Sequence, residues 1–403
     1  MRSEEACPGL GKATTESQRG PPTFVPDRDG NLTKVRLNTL VTVCALALVG
    51  CSPGGPSHSG GSTPPPLPAA SGTPPLASAP SRLGTPRDLV TGLSVPWAIA
   101  FLPGGDALVT ERDSARLLRV TSAGKVSTVG KVPGVSPAGE GGLLGVAVSP
   151  SFARDRWVFL YYSAASENRI VRFPYRGQGI AEVRTLVTGI PRGPIHNGGR
   201  LAFGPDHMLY ASTGETGRGG LSQDRSSLGG KILRMTPDGR PPPGNPSGTL
   251  VWTYGHRNVQ GLAWDQQGHM FATEFGQDRF DEINRISKGH NYGWPVVEGF
   301  GGDRRRYTPP LLTWTTDEAS PSGLAYAGGS LWAGALGGRR LWQVPVAANG
   351  TVGKPIAHFE GRYGRLRAVA AAPDGSLWVS TSNRDGRGDP QKGDDRILVI
   401  PLS

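Results

Sequence analysis

Between Trp97 and Ser380 the chain repeats one pattern six times: an alternating apolar strand, a turn often built on Pro-Asp-Gly, and a second apolar strand. The copies begin at Trp97, Leu144, Arg200, Gly261, Gly323 and Arg367. Alternation with period two, punctuated by Gly, Pro and Asp, marks strands, and no stretch offers a long amphipathic helix. The starts lie roughly 45 to 60 residues apart, the length of a four-stranded propeller blade with its loops. The sequence therefore predicts an all-β chain folded as a six-bladed β-propeller over residues 87–403. A closed ring removes the bare edges that a long antiparallel sheet would present. The expected closure pairs the last strand, Arg396 to Ile400, with the first blade.

Ahead of the repeats the character differs. Leu40 to Gly50 is a mostly apolar run ending in Leu48-Val49-Gly50-Cys51. It is too short to span a bilayer and has the length of a signal-peptide core. Leu-Val-Gly-Cys resembles a lipobox, so residues 35–51 read as a lipoprotein signal with Cys51 as the lipidated thiol. That implies an extracytoplasmic protein held at a bacterial membrane. Residues 1–34 are polar and read as a disordered or mis-assigned extension. Residues 52–86, rich in Ser, Pro and Gly, read as a flexible tether. Cys7, Cys44 and Cys51 all precede the repeats, so no disulfide is expected in the folded part. The net charge of +11 is spread among acidic residues, with no basic patch interleaved with aromatics, which argues against nucleic acid as a partner. A basic surface suits a small anionic ligand equally well.

Four loop clusters carry the chemistry. In Ile195-His196-Asn197-Gly198-Gly199, a histidine free of metal-ligand neighbours stands beside glycines that leave room for a flat ligand; a satisfied surface histidine is the plainer reading. Gly255-His256-Arg257-Asn258 is either a polar turn or a source of charge at a pocket. The run from Thr273 to Asn284 holds four acids and two amides, an oxygen density that suits calcium or a solvated turn. Arg365 and Arg367 alternate along a strand, so both point to one face: an anion clamp if that face is inward.

Taken in order, these clusters resemble the soluble quinoprotein glucose dehydrogenase and aldose sugar dehydrogenase family, which uses pyrroloquinoline quinone (PQQ). The markers are Gly141-Gly142-Leu143-Leu144-Gly145, His196 with Gly199-Arg200-Leu201, Leu228-Gly229-Gly230-Lys231, Gly255-His256-Arg257-Asn258, Asp281-Glu282-Ile283-Asn284 and Gly289-His290-Asn291-Tyr292-Gly293-Trp294-Pro295. The resemblance spans about Leu89 to Leu402. It implies that His196 takes the proton of the sugar's anomeric hydroxyl while hydride passes from C1 to the quinone. Arg257 would polarise the C5 carbonyl oxygen, with Asn258 beside it. The backbone carbonyls of Gly276 and Gln277 would ligate a calcium ion acting as Lewis acid. Arg365 and Arg367 would bind the cofactor's carboxylates. Several positions depart from the family. Glu140 replaces a glutamine that contacts the cofactor, Phe275 replaces a glutamine, and Gln277 replaces a proline. The cofactor-binding lysine falls near Gly337-Gly338, which leaves Arg339 or Arg340 as substitutes. A structural calcium site would map to Glu298, Phe300 and Asp303.

The expected function is PQQ-dependent oxidation of aldoses to lactones, with an aldose as substrate and an electron acceptor that the sequence does not identify. The alternatives are a calcium-dependent lactonase and a non-catalytic carbohydrate-binding propeller.

Overall fold

The computed structural model describes residues 81–403, together with two short antiparallel strands at Thr23–Pro26 and Leu32–Val35. The apolar run, Cys51 and the Ser/Pro/Gly-rich segment as far as residue 80 lie outside the described residues.

Residues 87–400 form six four-stranded antiparallel sheets. Blade 1 runs from Pro96 to Lys131, blade 2 from Leu143 to Ile190 and blade 3 from Leu201 to Tyr254. Blade 4 runs from Val259 to Trp314 and blade 5 from Pro321 to His358. Blade 6 combines Leu366–Ala371, Leu377–Thr381 and Ile397–Ile400 with Arg87–Val90 from the start of the domain. The first strand of each blade packs on the first strand of the next, and blade 6 returns to blade 1. The six-bladed propeller is thus the observed fold.

Ring closure differs from the expectation. The last strand does not pair with blade 1. It pairs with Arg87–Val90, which becomes the outer strand of blade 6 (Ile397 opposite Val90, Leu398 opposite Asp88). Blade 1 already has four strands of its own, so only an N-terminal strand placed before it can complete blade 6. Residues 81–84, expected to belong to the tether, also join the domain: Arg82 N–H donates to the Ser403 carbonyl at 2.8 Å and Gly84 N–H to the Pro401 carbonyl at 2.8 Å.

Two features of the repeat explain why the blades pack so closely. Glycine recurs in the first strands because the neighbouring backbone leaves no room for a Cβ. At Gly261 a Cβ would lie 2.6 Å from the Ser322 carbonyl oxygen, and at Gly323 it would lie 2.5 Å from that of Arg367. A hydroxyl near the end of the second strand then donates to the next blade's first strand. Thr110 reaches Leu144 O at 2.6 Å, Ser212 reaches Val259 O at 2.7 Å, Thr273 reaches Ser322 O at 2.7 Å and Ser380 reaches Pro96 O at 3.0 Å. All four hydroxyls are fully buried. Each contributes about 1 kcal/mol net, and its loss would leave a buried carbonyl unpaired.

Candidate active site

Alternate loops of a propeller emerge at the same mouth, so residues far apart in sequence converge there. The loops before the first strands bring Glu140, His196, Arg257 and Arg365. The loops after the second strands bring Glu215, Phe275, Gly276 and Asp385. Two cavities, sharing Ile195, open among them.

The larger cavity, about 820 Å³, holds His196, Glu215, Arg257, Gln277, Trp294 and Glu298. His196 is 9% exposed and sits at φ +53°, and its Nδ1 contacts Glu215 Oε1 in a short hydrogen bond. Glu215 is buried, and its second oxygen has no partner. An ionised carboxylate can only accept, so opposite one Nδ1 is the donor, and a neutral imidazole then keeps its lone pair on Nε2. With Nδ1 engaged by Glu215, Nε2 is the ring nitrogen left to exchange a proton.

Arg257 is braced from behind. Its backbone N–H donates to Glu274 Oε1 at 2.5 Å, and Glu274 Oε2 binds His256 Nδ1 at 2.8 Å. His256 is fully buried, bound to Thr253 through Nε2 and stacked on Tyr292, so it supports Arg257 from the interior. The Arg257 guanidinium lies 5.4 Å from the Trp294 ring centroid, and its Nε has no partner. Burial lowers the pKa of this group, while Glu215 and Glu298 oppose the shift. Asn258 is fully buried; its Oδ1 accepts from Gly198 N–H at 3.0 Å and its Nδ2 is unpaired. An unsatisfied donor on Arg257, which lines this cavity, is what a bound oxygen-rich group would satisfy.

The smaller cavity, about 380 Å³, is lined by Trp97, Gln260, Phe275 and six charged residues. Four are arginines (Arg112, Arg365, Arg367 and Arg387) and two are carboxylates (Glu140 and Asp385). Positive charge stays in surplus even with Asp113 counted against Arg112, its partner at 2.6 Å. Arg365 and Arg367 face inward, and both bind Asp385 Oδ2, at 3.0 and 3.2 Å. Burial would raise the Asp385 carboxyl, but Arg367 and Arg365 hold it below the usual carboxylate range. Burial pushes Arg367 down to about 10, still charged at neutral pH. Below them Arg200 lies 4.4 Å over Trp97 with one terminal nitrogen unpaired. An arginine-rich cavity beside an aromatic ring fits a flat polycarboxylate such as PQQ.

A donor set for calcium would here be backbone, not side chain. Among the described residues no three His, Cys, Asp or Glu side chains gather as metal ligands. The acids after blade 4's second strand are already occupied. Asp281 accepts from Gly276 and Ser320 N–H, at 2.9 and 2.6 Å, and Glu282 accepts from Gly299 N–H at 2.8 Å. Burial pushes Asp281 up to about 7 and Glu282 up to about 8. Glu298 Oε1 accepts from the N–H groups of Gln277, Asp278, Arg279 and Phe280, at 2.8 to 3.1 Å. In a trans peptide the carbonyl points opposite the next N–H. The Gly276 and Gln277 carbonyls are thereby turned away from Glu298 and left free of it, and carbonyl oxygens are donors that a hard cation takes.

Of the residues mapped to a structural calcium, Glu298 braces the 277–280 loop through Oε1, Phe300 is 55% exposed, and Asp303 accepts from Arg305 N–H at 2.9 Å in its own turn. Arg339 is not at the cavity, since it stands on a turn at φ +50°, half-exposed and 3.7 Å from Asp389. Arg340 is turned to Glu360 at 2.8 Å. Arg112 and Arg387, which no motif singled out, supply the additional cations.

Glu215 and Asp385 were also hidden in the sequence. Each lies in a turn three or four residues past the end of a second strand, at Ser212 and Thr381, where no repeated position marks it.

Comparison with known proteins gives one consistent result. A PQQ-bound aldose sugar dehydrogenase from Streptomyces coelicolor superposes with a TM-score of 0.78 at 55% identity, covering 82% of this chain and all of that one. The aldose sugar dehydrogenase YliI of Escherichia coli is 32% identical over 73% of this chain and 89% of its own length. The quinoprotein glucose dehydrogenase B of Acinetobacter calcoaceticus is 32% identical over 57% of this chain and 56% of its own. Residues 93–392 match glucose/sorbosone dehydrogenase as a family. With its propeller, its His–Glu pair and its arginine-lined cavity, this chain belongs to the glucose/sorbosone dehydrogenase family.

Proposed function

We propose that the chain oxidises aldose sugars at C1 to lactones, with PQQ and calcium as cofactors and His196 as general base. The observation that carries this reading is His196, its Nδ1 held by Glu215, in a cavity that shares Ile195 with an arginine-lined neighbour.

PQQ would be held by Arg365, Arg367 and Arg257, with Asn258 beside it and calcium on the Gly276 and Gln277 carbonyls. When bound, it accepts the two electrons and the C1 hydrogen, with calcium increasing its electrophilicity. The rest falls to the chain. His196 Nε2 takes the proton of the C1 hydroxyl, and Glu215 stabilises the imidazolium that results. Arg257, poorly solvated and with a free Nε, offers positive charge where negative charge develops. Trp294 and Pro295 give the larger cavity an apolar wall for a sugar's C–H face.

The leader sequence supports a second part of the proposal, a protein carried across the membrane and anchored by lipid on Cys51. Loss of membrane association in Cys51→Ala would test it.

The decisive assay is dye reduction by purified protein with a panel of aldoses and calcium, with and without PQQ. Activity only with PQQ is the expected result. Lactone hydrolysis without an electron acceptor would favour the lactonase alternative instead.

A further inference from the structure

Glu140 is out of place in the small cavity. A carboxylate at the wall of an anion site repels the ligand, and this one is not free to leave. Its Oε2 accepts the His196 backbone N–H at 2.9 Å, and its own N–H donates to Pro194 O at 2.8 Å. The carboxylate is thus part of what fixes the proton acceptor, whose backbone already sits at positive φ. Its other oxygen, Oε1, lies 2.9 Å from Arg387 Nη1.

Arg387 comes from across blade 1, in the loop after the second strand of blade 6. Its side chain is 61% exposed. Its backbone N–H donates at 3.0 Å to Asp385 Oδ1, and Asp385 Oδ2 binds Arg365 and Arg367. One carboxylate therefore aligns the arginine pair and mounts Arg387 opposite Glu140. The ion pair joins blade 6 to the loop ahead of blade 2.

We propose that Arg387 masks the charge of Glu140, so that a polycarboxylate can enter the arginine-lined cavity while Glu140 keeps its hold on His196. The inference rests on the PQQ reading above. Arg387 acts on the ligand through Glu140, so removing the carboxylate's charge makes Arg387 dispensable. A cation that gripped the ligand directly would be missed whatever stood at 140.

The test is a double-mutant cycle read as PQQ affinity, by quenching of tryptophan fluorescence in the intact protein with calcium present. Trp97 lines the cavity and reports its occupancy. R387A is expected to weaken binding on the order of tenfold, the effect of one uncompensated charge in a partly buried site. E140Q keeps an oxygen for the His196 N–H and is expected to bind at least as tightly as wild type. The double variant E140Q/R387A is expected to recover wild-type affinity to within about threefold. R387M, which keeps most of the stem, replaces R387A if the latter does not fold. Unchanged affinity in the Arg387 variant would overturn the proposal, as would a double variant as weak as the single one. Wild-type protein that takes up no PQQ would instead bring down the cofactor reading, and this inference with it.

Discussion

Glu215→Gln isolates the contribution of one buried charge to proton abstraction. Glutamine has the shape of glutamate and retains an oxygen that can accept from His196 Nδ1–H. What is lost is the charge facing the imidazolium. A hydrogen bond to a charged group is worth about 1.5–3 kcal/mol, so this loss alone slows the chemical step roughly 10- to 150-fold. The amide can also turn its NH₂ toward Nδ1 and drive the proton to Nε2, which abolishes the acceptor and extends the loss toward about 10⁴-fold. Stability should change little, because Glu215 Oε2 already lacks a partner in a nearly dry position. The assay is steady-state dye reduction with saturating PQQ and calcium, with melting temperature and PQQ affinity measured on the same sample. The expected pattern is a kcat reduced at least tenfold with both controls intact. A kcat within threefold of wild type would refute the assignment of Glu215 as the partner of the base.

Four further outcomes are expected. His196→Asn should lose turnover by several orders of magnitude with PQQ still bound, checked by single-turnover kinetics and cofactor absorbance. Arg365→Ala should weaken PQQ loading at least tenfold in a titration, since it removes half of the pair on Asp385. Glu298→Ala frees four backbone N–H groups and should raise the calcium concentration needed for half-maximal thermal stabilisation. Lys231 is buried on three carbonyls (Leu221, Ser222 and Gly229), and burial lowers it to about 8. Its folded pKa is below the unfolded one, so the folded state binds fewer protons between pH 8 and 10.5 and stability rises across that window. Lys231→Met should lack this rise, so its deficit against wild type should widen by up to about 3 kcal/mol in denaturant titrations from pH 8 to 10.5.

Much of the scaffold was legible because a blade is a local object. Alternation, a Pro-Asp-Gly turn and a glycine where two backbones meet are set by nearest neighbours, and the chain states them six times. His196, Arg257 and the Arg365/Arg367 pair were legible for a similar reason: each lies in a compact motif ahead of or at the start of a first strand. Glu215 and Asp385 carry no motif, and their neighbours in sequence are ordinary turn residues. Their importance comes from Nδ1 of a residue 19 positions away and from two arginines 20 and 18 positions away.

Glu298, Phe300 and Asp303 were mapped to calcium from the family resemblance, and only the tertiary structure shows Glu298 Oε1 engaged by the loop from 277 to 280. Arg339 was assigned by its distance along the chain from a missing lysine. The turn that carries it points to Asp389, and the cavity obtains its extra cations from Arg112 and Arg387.

By itself, then, the sequence determined the repeat, the all-β architecture, the number of blades and which loops hold His196 and the arginines. These depend on side-chain period and turn chemistry, which act over a few residues. The tertiary structure alone decided how the ring closes, which carboxylate serves His196, and how the Glu140 charge is balanced. Those are contacts between residues brought together only when six blades share one axis, and no spacing along the chain encodes that proximity.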